Sequence, residues 1–149
     1  MIKTVNGTSG NDSLYDLENT QNYLFGLGGD DLLSAGDGND HLYGGEGDDL
    51  LFSPGGGFRN VRTTLEGGAG NDTFVIPTSN SYSYNNSVVI NDYHVGDNIN
   101  IIKDASNNGE SFDLSIFYYG SGNDLFSDIY NTETDDLIVT VHGTDHFLM

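Results

Sequence analysis

Aspartate recurs at one fixed place in five nine-residue segments: GTSGNDSLY (7–15), GLGGDDLLS (26–34), AGDGNDHLY (35–43), GGEGDDLLF (44–52) and GGAGNDTFV (67–75). Each has Gly at the fourth place, Asn or Asp at the fifth, Asp at the sixth and a large apolar residue at the eighth. The sixth-place residues are Asp12, Asp31, Asp40, Asp49 and Asp72. Carboxylates set among the carbonyls of tight turns are hard oxygen donors, and such a donor set selects Ca²⁺ over zinc or copper. Mg²⁺ suits it less, because that ion keeps its waters and rarely sits in an all-protein cage. The chain has no Cys, which removes thiolate zinc sites, thiol catalysis and a disulfide framework.

The same segments explain how these carboxylates are positioned. Six residues rich in Gly and Asp form a turn, because Gly reaches positive φ cheaply and Asn or Asp tolerates it. Three residues then form a short strand whose eighth-place side chain points inward. Two weaker units fill the gaps. LENTQNYLF (17–25) has Asn22 at the sixth place and Leu24 at the eighth, and it is preceded by the extra residue Asp16. Residues 53–66 contain no Asp but end with Leu65 in frame. The predicted inward column is Leu14, Leu24, Leu33, Leu42, Leu51, Leu65 and Phe74. A flexible Gly/Asp-rich linker would not hold an apolar residue in frame through seven units.

Two units make one coil of a parallel stack, so successive units alternate between two edges. Asp12, Asp31, Asp49 and Asp72 share one edge in an unbroken series, which predicts about three strong sites. The other edge carries Asn22, Asp40 and, depending on how the insertion is framed, Thr63 or Phe58. Each interval there lacks a carboxylate, so any site at Asp40 is weaker.

The rest of the chain differs. Of 21 Gly, sixteen lie in residues 1–75 and five in 76–149. VVINDY (88–93), NINII (98–102), FDLSIFYY (112–119) and DLIVTVH (136–142) read as strands between polar stretches. The expected division is a roll over 1–75 and a β-rich cap over 76–149, both without long helices. The 149 residues carry 23 acidic and 4 basic side chains, a net charge of -19. That charge opposes nucleic acid or an anionic membrane as partner. No apolar run approaches the ~20 residues of a membrane span, and MIKTVNGTSGND holds no apolar signal core.

These residues resemble the RTX (repeats-in-toxin, hemolysin-type) family, whose unit is Gly-Gly-x-Gly-x-Asp-x-apolar-x. The resemblance covers residues 7–75. It implies an all-β fold, a right-handed parallel β-roll with a C-terminal β-rich cap. It also implies Ca²⁺ held between the turn of one repeat and the turn two repeats later. The implied ligands are Asp12, Asp31, Asp40, Asp49 and Asp72, with backbone carbonyls of the glycine-rich turns at Gly10, Gly28, Gly45, Gly47, Gly68 and Gly70. DTFVI (72–76) followed by VINDYHVGDNINI (88–100) is similar to the closing segment of secreted RTX proteases, lipases and alginate epimerase R-modules. That similarity adds Asp92 and Asp97 to the last site, with plain turn residues as the alternative.

The family implies a non-catalytic module, secreted or at the cell surface, that folds on calcium and serves type I export of a larger protein. The acidic-then-apolar end TDHFLM is similar to type I export signals, with a buried final strand as the alternative. A second functional class is a polysaccharide-binding R-module, in which Tyr82, Tyr84, Tyr118 and Tyr119 stack on sugars and Arg59 and Arg62 meet uronate carboxylates. The net charge opposes such a polyanion unless bound Ca²⁺ offsets it.

Other motifs fall short of sites. Asp104, Ser106, Asn108 and Gly109 begin like an EF-hand loop, but its twelfth place is Ser115. GSGNDLF (120–126) is a lone unit around Asp124 and reads as a hairpin turn. His142 and His146 lack the helix and Glu of a metalloprotease motif. His41 and His94 read as rim residues, Ser9 sits in no nucleophile elbow, and no acid/base pair stands out.

Overall fold

A computed structural model describes residues 1–16, 18, 20–53, 62–78, 87–103, 114–121, 124–131 and 136–143. Thirteen strands and no helix lie among them: β1 Lys3–Asn6, β2 Ser13–Tyr15, β3 Asn22–Gly28, β4 Leu32–Ser34, β5 His41–Glu46, β6 Leu50–Phe52, β7 Arg62–Ala69, β8 Thr73–Thr78, β9 Ser87–Tyr93, β10 Asn98–Lys103, β11 Leu114–Ser121, β12 Asp124–Asn131 and β13 Asp136–Gly143. The even strands β2, β4, β6, β8 and β10 form one parallel sheet. The odd strands β1, β3, β5, β7 and β9 stack in parallel in the other sheet. This alternation is a β-roll, in which each coil contributes one strand to each sheet.

The apolar frame sets the register. On the even sheet Leu14, Leu33, Leu51, Phe74 and Ile99 are successive partners. On the odd sheet Val5, Leu24, Leu42, Leu65 and Ile90 are. Leu24, Leu33, Leu51, Leu65 and Phe74 are fully buried, and Leu42 nearly so. Each such side chain contributes about 2 kcal/mol by leaving water. A one-residue slip in any coil would turn its column to solvent, so one register wins. Leu14 and Val5, at the open end of the stack, are partly buried.

The parallel stacking does not stop at Val75. The sequence boundary at Val75 and Ile76 falls inside β8, and β9 and β10 add a further coil on top. Beyond it β13 pairs in parallel with β9, and β11, β12 and β13 form an antiparallel meander that extends the odd sheet. Ile129, Ile138, Val139 and Val141 join the core from this meander. Strand β12 went unread in the sequence because Ser127 and Asp128 interrupt its apolar pattern. At the lone GSGNDLF unit, expected to be a hairpin turn, Ser121 of β11 pairs antiparallel with Asp124 of β12, while residues 122 and 123 lie outside the described residues.

Candidate metal centre

The turns from odd to even strands fall on one edge of the roll, which we call the first edge. There the frame aspartates form a ladder. The backbone N–H of Asp12 donates to Asp31 Oδ1 (2.7 Å), that of Asp31 to Asp49 Oδ1 (2.8 Å), and that of Asp49 to Asp72 Oδ1 (2.9 Å). The N–H of Asp72 continues to Asp97 Oδ1 (3.0 Å), so Asp97 is the fifth rung. A second ladder runs the other way through the fifth-place residues. The N–H of Asp30 donates to Asn11 Oδ1 (3.0 Å), that of Asp48 to Asp30 Oδ1 (2.9 Å), and that of Asn71 to Asp48 Oδ1 (2.8 Å). Asn and Asp serve equally at the fifth place because only an Oδ1 acceptor is required there.

With Oδ1 committed, Oδ2 of Asp31, Asp49 and Asp72 is buried and has no hydrogen-bond partner. Buried polar atoms are almost always satisfied, so three orphans in register call for a missing partner. Their surroundings identify its chemistry. A Cβ placed on Gly44 would collide with Asp49 Oδ2 and lie 2.5 Å from Gly67 O. A Cβ on Gly26 would meet Asp31 Oδ2 and Gly44 O in the same way. The free oxygens of Asp31 and Asp49 therefore lie against first-place glycine backbone and a carbonyl of the next coil, and that of Asp72 lies against Gly67. This arrangement of carboxylate and carbonyl oxygens fits Ca²⁺. Among the described residues no three Asp, Glu or His side chains cluster around one point, so a cation here must draw on backbone carbonyls.

The first-place glycines, Gly7, Gly26, Gly44 and Gly67, were not among the glycines singled out from sequence. The signal was present: the four units on the first edge begin with Gly, whereas the unit of Asp40 begins with Ala35. Of the glycines that were singled out, Gly47 and Gly70 have φ of 125° and 144°, and a Cβ on either would strike the carbonyl of the preceding coil's turn. The same is true of Gly45 and Gly68, Gly28 has only distant neighbours, and Gly10 faces open space.

The ends of the ladder differ from its middle. Asp12 Oδ2 accepts from the Thr8 N–H (2.5 Å) and the Thr8 hydroxyl (2.8 Å). Asp97 Oδ2 accepts from the His94 N–H (2.7 Å), with His94 Nδ1 at 3.7 Å. Asp92 reaches back to the preceding coil, where its two oxygens accept from the N–H groups of Gly67 (3.0 Å) and Gly68 (2.8 Å).

The second edge is poorer in charge. Asn22 N–H donates to Asp40 Oδ1 (2.9 Å), and Asp40 Oδ2 is buried and unpartnered. The Asn22 amide is turned to its own loop, donating to Thr20 O (2.8 Å). The next residue in the column is Thr63, since His41 pairs with Thr64, and Phe58 lies outside the described residues. Electrostatics agree with the geometry. Burial pushes Asp40 up to about 6, against the Asn22 N–H and with help from the charges of Asp16 and Asp37. Burial likewise pushes Asp72 up to about 6, against the Asp49 N–H and with help from Asp97, Asp49 and Asp92. Asp49 and Asp92 are also raised, first by burial. The stack therefore holds negative charge that the protein itself does not neutralise.

The remaining candidates lie elsewhere. His41 stacks on Tyr23 (4.7 Å between centroids), outside the aspartate ladder. His142 contacts Phe126 edge-on, and His146 lies outside the described residues. Residues 104–110, Tyr82, Tyr84, Arg59 and 144–149 also lie outside them. Arg62 donates its backbone N–H to Asn39 Oδ1 (2.7 Å) on the second edge.

Residues 4–17, 19–52 and 63–75 match the family model of the RTX calcium-binding nonapeptide repeat, in 4 copies. The matched stretches are repeats of that type. No curated protein matches the chain. Among solved structures, the chain is similar to the AlgE6R3 subunit of the mannuronan C5-epimerase of Azotobacter vinelandii, seen in solution. The identity is 24%, the match covers 93% of this chain and 72% of that one, and the TM-score is 0.35.

Proposed function

We propose that this is a non-catalytic RTX module that stays loose until it meets extracellular Ca²⁺, folds there, and thereby supports type I export and stability of a larger secreted protein. The observation that carries the reading is the row of buried, unpartnered Oδ2 atoms at Asp31, Asp49 and Asp72, each lying against a first-place glycine. These three residues, with carbonyls of the glycine-rich turns, hold the ions of the first edge. Asp12 and Asp97 close the row, and Asp40 supports a weaker site on the second edge. The bound ions supply the positive charge the stack lacks. Without them the carboxylates of successive coils oppose stacking. A calcium-rich exterior and a calcium-poor cytosol then separate folded from export-competent chain. Circular dichroism is expected to show a largely unfolded roll in chelator and β structure in millimolar Ca²⁺, and an unchanged spectrum would refute the reading. The export role is tested separately. Residues 76–149 fused to a reporter, in a host with a type I exporter, should lose secretion when Phe147, Leu148 and Met149 are deleted, and equal secretion would remove that role.

A further inference from the structure

Among the described residues, Asp16 is the one outside the nonapeptide frame that carries the mark of a frame aspartate. Its Oδ1 accepts a backbone N–H, from Glu18 at 2.9 Å. Its Oδ2 is buried without a hydrogen-bond partner, as in Asp31, Asp40, Asp49 and Asp72, and differs from theirs in having the Lys3 ammonium 3.6 Å away. The residue is 1% exposed. The strands explain its place. Asp16 N–H donates to Ser34 O, and Ala35 N–H to Phe52 O, so Asp16 lies one coil before Ala35 at the head of a second-edge turn. That is the same edge as Asp40, whose Oδ1 takes the N–H of Asn22 at the end of the turn Asp16 begins. Asn22 itself is a neutral amide and brings no charge, and both its polar atoms are taken by Thr20: Nδ2 donates to Thr20 O and Oδ1 accepts from the Thr20 hydroxyl.

We infer that Asp16 supplies the carboxylate that Asn22 lacks, and that Asp16 and Asp40 together hold one divalent cation, Ca²⁺ by the hardness of the donors, on the second edge. This rests on the calcium reading of the first edge. Lys3 guards the place: its ammonium lies 3.6 Å from Asp16 Oδ2 and 3.8 Å from Glu18 and is itself half-exposed. A surface ammonium on a mobile stem can leave when a divalent ion arrives, whereas the buried carboxylate cannot.

The test is a calcium titration of the whole chain by calorimetry and equilibrium dialysis, for wild type, Asp16→Asn, Asp40→Asn, the double variant and Lys3→Met. Asp16→Asn should bind one ion fewer than wild type. Asp40→Asn should lose the same ion, and the double variant should lose no more than either single. Lys3→Met should tighten one site about fivefold, the worth of a surface ion pair of about 1 kcal/mol. If Asp16 only anchors Lys3, Asp16→Asn will bind as many ions as wild type and be less stable in chelator as well as in calcium, which overturns the inference. Loss of two ions in the double variant overturns it too, since the residues would then serve separate sites. Wild type that binds no calcium would instead defeat the reading of the first edge.

Discussion

Replacing Asp49 by Asn separates the two tasks of a frame aspartate. The amide keeps the Oδ1 that accepts the Asp31 N–H, and the residue keeps its own N–H to Asp72, but the charge is gone. In calcium-free protein the change should stabilise. Burial already raises Asp49's affinity for a proton, and Asp31, Asp30 and Asp48 add to it. Two carboxylates one strand spacing apart, about 5 Å, repel by roughly 3 kcal/mol at an effective dielectric of about 20. After relaxation and salt screening a gain of about 1 to 2 kcal/mol is expected. The new N–H₂ also borders Gly67 O, an acceptor. In calcium the sign reverses. A site held at a hundred times its dissociation constant contributes about 2.7 kcal/mol, and Asp49 borders the intervals toward both Asp31 and Asp72, so the loss is about 3 to 5 kcal/mol. Urea unfolding in millimolar Ca²⁺ and osmolyte-driven refolding in chelator, both followed by circular dichroism at pH 7.5, read both signs. Equal destabilisation in the two conditions, or wild-type stabilisation of the variant by calcium, would refute the argument.

Asp49→Ala should lose a further 1 to 3 kcal/mol, roughly, in both conditions because it orphans the buried Asp31 N–H, and in calcium Asp40→Ala should be the milder of the two alanine variants by thermal unfolding. Gly44→Ala should weaken calcium binding near Asp49 by driving a methyl into Asp49 Oδ2, while Gly10→Ala, facing open space, should bind as wild type in the same titration. Leu27 sits at φ 81° where neighbouring repeats have Gly45 and Gly68, and it is exposed, so Leu27→Gly should raise the unfolding midpoint by relieving about 1 kcal/mol of backbone strain. Asp40 and Asp72 bind protons more tightly folded, near 6, than unfolded, near 3.8. The stability of calcium-stripped protein should therefore fall as pH rises from about 4 to 6, and calcium-loaded protein should show the opposite trend because protons compete with the ion.

Much of this protein is legible one residue at a time. A nine-residue frame that places Gly, Asp and an apolar side chain at constant positions leaves one way to bury the apolar column, so the roll, its register and the first-edge row of Asp12, Asp31, Asp49 and Asp72 follow from spacing alone. What spacing could not state is which atoms of those residues are already spent. Only the folded turns reveal that Thr8 and His94 occupy the end carboxylates of Asp12 and Asp97, and only the stacked coils that Asp92 is used to cap Gly67 and Gly68. Thr63 over Phe58 in the second-edge column was likewise decided by the pairing of β5 with β7. Asp16 is the sharpest case. In sequence it is a stray residue between two repeats, because its neighbours across the coil are far away along the chain. Burial in the turn stack removes water from one of its oxygens and leaves it only the Lys3 ammonium at 3.6 Å, beyond hydrogen-bond reach, and desolvation of that kind exists only once the chain has folded.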